Sequence, residues 1–174
     1  MRALLCALIA LCAFVGAVHA QAPGAAYGSV TGYGTTLPSF SSGTWTPTVT
    51  TSGTVGTPAY TAQVGTYEEF GFTVIARFTI ILSGWSGSPS GNVSVAGFPT
   101  TADATTNNYE SCVVSYFVVS GLAASNYNIS GYIAPATNTM LLLQNGNTTS
   151  AAITAAQAGT TPTFIGMCIY RSHT

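Results

Sequence analysis

The sequence predicts an all-β protein, two packed antiparallel sheets of about eight strands, and three observations predict it. From residue 43 onward, short apolar runs of period two alternate with clusters of Gly, Ser, Thr, Asn and Pro. Helix-forming material is confined to 151–158, AAITAAQA, which is too short to stand alone and suits a single turn or a loop. Strands with one dry and one wet face need a second sheet to cover the dry side, and two stacked sheets satisfy them all.

The elements follow in order. The first run, 44–50, contains Trp45 and ends at Thr51-Ser52-Gly53. Runs at 59–64 and 66–82 come next. In the longer one Phe70, Phe72, Val74, Ala76, Phe78, Ile80 and Leu82 share one parity, while Glu69, Gly71, Thr73, Arg77 and Thr79 take the other. Side chains alternate across a strand, so this gives a dry face and a nearly uncharged wet one. Ile75 and Ile81 fall on the wet parity, apolar surface that a monomer exposes and a subunit contact would cover. The turn 87–91, Gly-Ser-Pro-Ser-Gly, leads into 92–96, and strands at 111–120, 127–134, 139–143 and 163–170 complete the set, with turns at 136–138 and 145–147. Trp45 and Tyr67 read as large rims of the core. Gly65, Gly71 and Gly97 read as bulges or close backbone approaches.

Ahead of this domain, Met1-Arg2 and the apolar stretch that follows, ending in Val18-His19-Ala20, form an export signal. The apolar run is roughly 16 residues long against about 20 for a bilayer span, so it reads as cleaved rather than as a membrane anchor. The domain organisation is then signal peptide 1–20, flexible arm or linker 21–42, and β-sandwich domain 43–174. The mature protein is placed outside the inner membrane, with no stable anchor.

Only 4% of residues are charged and there is no lysine. Cleavage leaves Arg77 and Arg171 against Glu68, Glu69, Asp103 and Glu110. Two arginines cannot release the counterions that nucleic-acid affinity requires, which excludes that class of partner. Cys112 and Cys168 are the two cysteines of the mature chain, and an even pair in an exported protein reads as one disulfide. Closing a loop of about 56 residues restricts the unfolded chain by about 4 kcal/mol. Two buried free thiols are the alternative.

Catalysis finds little material. His173 lies next to the last residue, without rigid support for a nucleophile's base. Asp103 and Glu110 flank the loop DATTNNYE and are the one carboxylate pair to weigh for a hydrolase, although solvated loop acids are far commoner. Asp103 with Asn107 and Asn108 is a poor calcium loop, no His/Cys cluster suits zinc, and no cofactor motif is present, so the chain reads as non-enzymatic and cofactor-free. Recognition remains. Trp85 in SGWSGSPSG and Asn107, Asn108 and Tyr109 in the loop 101–110 put rings and neutral amides on tips, the mixture a sugar needs. Trp85 has a second reading, as a cap on the end of the sandwich. Three sequons, at Asn92, Asn128 and Asn147, carry little weight in so Asn- and Thr-rich a chain.

Three segments carry a family resemblance. Gly43-Thr44-Trp45-Thr46-Pro47, then Gln63-x-Gly65-x-Tyr67-x-x-x-Gly71-x-x-Val74-x-x-x-Phe78-x-Ile80, then Gly91 through Val95 to Gly97-Phe98-Pro99 stand in the order found in the C-terminal head domain of phage tail fibres. The chain resembles that family over residues 43–99, and TFIGMCIY looks like its final strand. The resemblance implies a jelly-roll-like sandwich, a homotrimer, and binding of a cell-surface glycan or protein receptor without catalysis, as part of a virion or a cell surface. The rival expectation is a structural sandwich of such an assembly that binds no small ligand.

Overall fold

A computed structural model of the chain describes residues 39–172. The expected signal segment 1–20, most of the expected arm 21–42 and His173 lie outside the described residues. The strands are β1 (Phe40–Trp45), β2 (Thr48–Thr51), β3 (Thr57–Phe70), β4 (Thr73–Ser86), β5 (Val93–Ala96), β6 (Glu110–Val118), β7 (Asn126–Ile133), β8 (Thr139–Gly146), β9 (Ser150–Ala152) and β10 (Thr163–Arg171), with a one-turn helix α1 (Ala155–Ala158).

The strand order is β1-β3-β4-β10-β6-β7-β8-β5-β2, with β9 on β8, and every pairing is antiparallel. β1 and β2 are separated by only Thr46 and Pro47, yet they occupy opposite ends of that order. The sheet therefore curls until its two edges meet at this corner, giving the antiparallel all-β sandwich the sequence predicts. Inside lie Val74, Ala76, Phe78, Ile80 and Leu82 of β4, Val93 and Val95 of β5, Ile129 and Ile133 of β7, Met140 and Leu142 of β8, and Phe164, Cys168 and Tyr170 of β10. Period-two alternation supplies each set, so the core is read directly from the pattern.

Two strand boundaries differ from expectation. The run 44–50 is two strands, because the buried Pro47 offers no ladder donor and marks the corner where the chain leaves one edge for the other. The run 66–82 is a hairpin rather than one strand: β3 and β4 turn at Gly71-Phe72, with Phe70 opposite Thr73. Gly71 has φ 61°, the positive value that the first central position of a II′ turn demands. Cross-strand partners here have opposite parity in number, so the inward set switches from Gly65, Tyr67 and Glu69 in β3 to Val74, Ala76 and Phe78 in β4. Phe70 and Phe72, counted as dry by simple alternation, are exposed instead.

Other details follow the sequence. Residues 151–158 give β9 and the single turn α1, where Thr154 and Gln157 form a reciprocal capping box. Cys112 and Cys168 face each other across β6 and β10, Cα atoms 4.2 Å apart, and are joined as a disulfide buried in the core. Trp45 packs against the core beside Phe98, ring centroids 4.6 Å apart, and Phe98 in turn meets Phe78 and Tyr170 edge to face.

Candidate functional site

The loop between β5 and β6 is anchored before it is exposed. Ala102 is buried, its N–H donating to Thr137 O at 2.8 Å, and the Asp103 N–H donates to Arg171 O at 2.8 Å. Ala136 N–H donates back to Asp103 O at 3.2 Å, so the loop base is tied to the β7–β8 turn and to the end of β10. Beyond this base the chain turns sharply. Asp103 Oδ1 accepts from Thr105 N–H at 2.7 Å, and the Asn108 N–H donates to Thr105 O at 3.1 Å. Asn107 has φ 63° at the third position of that turn, where asparagine is one of the few side chains tolerated.

The tip presents Asn107, Asn108 and Tyr109, all exposed. Asn108 Nδ2 donates to Glu110 Oε1 at 3.1 Å, which orients its amide. Tyr109 stands edge to face with Tyr132 of β7, centroids 5.1 Å apart and planes at 89°. Sequence reasoning passed over Tyr132. The signal was present, since Tyr132 has the opposite parity to the buried Ile129 and Ile133 and so lies on the outer face. The result is a corner of two rings bordered by amides.

Asp103 and Glu110 both gather around Arg171. Asp103 Oδ2 lies 3.5 Å from Arg171 Nε, and Glu110 Oε1 accepts from the Arg171 backbone N–H at 3.3 Å. The Arg171 guanidinium also sits 5.4 Å from the centroid of Phe72, at the β3–β4 turn. The two carboxylates are therefore engaged in holding the loop to the sheet. Among the described residues no group of three or more His, Cys, Asp or Glu could hold a metal ion.

Trp85 does not join this site. It is 4% exposed, its indole N–H donates to Val55 O at 2.6 Å, and it pairs with Pro58 in β3. β4 runs from Thr73, which pairs with Arg171 beside the loop, to Trp85 near its other end. Of the two roles the sequence left open for Trp85, its position is that of the cap on the core. A second polar cluster that the sequence did not single out surrounds exposed Tyr127, whose hydroxyl donates to Asn147 Oδ1. There Asn126 Oδ1 accepts from Thr149 Oγ1 at 3.0 Å and Asn145 Oδ1 from Ser150 Oγ at 2.9 Å, so these amide oxygens are occupied by neighbouring hydroxyls.

Burial pushes the Tyr170 phenol above its usual value of 10.0, an effect opposed by its hydrogen bonds with Thr100. Tyr170 lies inside the sandwich and plays no part at the exposed corner. Among the described residues no helix is long and apolar enough to cross a membrane.

No family model matches the chain. A search of curated proteins likewise found no match. Among solved structures, the fold is similar to the crystal structure of the Dettilon tailspike protein, with a TM-score of 0.64 and 16% sequence identity, covering 77% of this chain and 24% of that one. The chain thus spans about a quarter of the tailspike's length, and what the two share is the β-sandwich fold.

Proposed function

We propose that the chain is an exported, non-catalytic receptor-binding module of a virion tail-type assembly, working as a homotrimer and binding a neutral cell-surface glycan at the corner formed by Tyr109 and Tyr132. The arrangement of those two rings carries the reading. A sugar offers an apolar face for one ring and hydroxyls for the amides of Asn107 and Asn108, and both rings stand on backbone pinned to the sheet. The likeness in fold to a tailspike supports the tail-type assignment. The buried disulfide supports an oxidising compartment and hence export through the signal segment.

The test is a glycan array with the mature chain and its Tyr109→Ala and Asn108→Ala variants. A related set of glycans binds the wild type, and each variant loses at least about tenfold, the 1–2 kcal/mol of a lost stacked ring or charge-free hydrogen bond. A blank array, or binding that both variants retain in full, overturns the glycan site. A blank array from a chain that forms extended polymers favours the rival reading of a structural sandwich, for which the apolar outer face described next is the supporting observation.

A further inference from the structure

The wet face of β3, β4, β10 and β6 is wet only in part. Cross-strand register places Val64, Thr79, Ile165 and Tyr116 in one row and Thr66, Arg77, Met167 and Val113 in the next, with Glu68, Ile75 and Ile169 in a third. Val64, Val113, Tyr116 and Ile169 are each about half exposed or more, Val113 the most at 60%. Between Ile165 and Gly166 the register with β6 shifts by one residue, leaving Ser115 as the extra residue of β6, and an open groove of about 380 Å³ lies over Val64, Arg77, Val113, Ile165 and Met167. Exposed rings stand elsewhere, with Phe40, Phe70 and Phe72 near the β3–β4 turn and Tyr109 and Tyr127 on loops and β7, but Val64, Val113 and Ile169 gather exposed aliphatic side chains on this one face.

We infer that this face is where copies of the chain meet, the β3-β4-β10-β6 surfaces of the three turned toward a common axis. The inference rests on the oligomeric reading above and adds the surface that makes it. Two observations favour a like copy over an unlike partner. Over these three rows the face carries one positive and one negative side chain, Arg77 and Glu68, already paired at 3.3 Å, and Arg171 beyond them at the end of β10 is paired with Asp103 at 3.5 Å, so the face gives a charged partner little to meet. A second identical face is equally apolar and equally neutral, and the internal pair lets both charges enter a contact without either being left alone. The size also fits. Strands about 4.8 Å apart and a nine-residue β10 rising about 3.4 Å per residue give a face of about 15 by 30 Å, within about a factor of two of the ~800 Å² per partner of a stable interface before side-chain relief is counted.

The test is the mass in solution, by light scattering over a concentration series, of the full mature chain, of Val113→Glu, of Glu68→Arg, and of Tyr127→Ala as a control on the opposite end of β7. All three positions are exposed, and circular dichroism confirms that each variant folds. The wild type and Tyr127→Ala form the same oligomer, whereas Val113→Glu and Glu68→Arg dissociate at concentrations at least tenfold higher. Glu68→Arg, which leaves two positive charges on the face, recovers association in high salt. If both variants keep the wild-type mass, this face is not the interface while the oligomeric reading stands. A wild type that is monomeric throughout, including one whose face is covered by its own residues 21–38, overturns both.

Discussion

The indole of Trp45 occupies the space that a side chain at position 65 would need: a Cβ built on Gly65 would lie 2.6 Å from Trp45 Cε2 and Nε1. Trp45 and Gly65 are direct partners across β1 and β3, and two residues along the same ladder Tyr67 covers Gly43 in the reverse sense. Each glycine is thus roofed by the aromatic residue opposite. Gly65→Ala lowers unfolding stability by about 2 kcal/mol through overpacking. In urea titrations the double variant Gly65→Ala/Trp45→Ala loses less than the two single variants together, because removing the ring removes the clash. Strict additivity would place the cost of Gly65→Ala elsewhere.

The Cys112–Cys168 bond joins neighbouring strands in the middle of the curled sheet. Replacing both by alanine lowers stability by about 3 kcal/mol, read as a shift in the thermal midpoint. Reductant lowers the midpoint of the wild type and leaves that of the variant unchanged.

Tyr170 contributes to the loss of stability in alkali. Its phenol ionises at higher pH in the folded chain than in the unfolded one, so deprotonation favours unfolding. The stabilisation is fully present below about pH 10 and is lost as pH rises from there through the raised folded value. Tyr170→Phe removes this part of the slope, and comparing the two chains in urea between pH 8 and pH 11 measures it.

Asn107 separates turn geometry from ligand contact. Asn107→Gly keeps the positive φ and leaves stability within about 0.5 kcal/mol of wild type, whereas under the glycan-binding proposal it lowers the array signal because the amide is gone. Asn107→Val costs about 1–2 kcal/mol in the same melt, since a β-branched side chain resists that backbone.

The parts of the fold that were legible in the sequence are those where alternation is local. Val74 to Leu82, Val93 to Val95 and Ile129 to Ile133 show their inward faces without knowledge of any partner. The β3–β4 turn was hidden because alternation of apolar residues ran on through Phe70 and Phe72, and only the pairing of Phe70 with Thr73 reveals the switch. Within the site, Asn107, Asn108 and Tyr109 were legible as a loop tip, while Tyr132 required the β6–β7 pairing that brings it beside Tyr109. Trp85 illustrates the reverse problem. Its neighbours Ser83, Gly84, Ser86 and Gly87 read as a solvent turn, but the strand continues to Ser86 and its ring closes over the core.

β10 lies between β4 and β6, and apart from the short corner Thr46-Pro47 it is what joins β1-β3-β4 to β6-β7-β8-β5-β2. The last of the described strands is therefore the keystone of the arch. Without residues 163–171 the remaining ladders are two separate leaves, β1-β3-β4 and β6-β7-β8-β5-β2, each with its apolar side uncovered, so the fold closes only when this strand pairs along both of its edges.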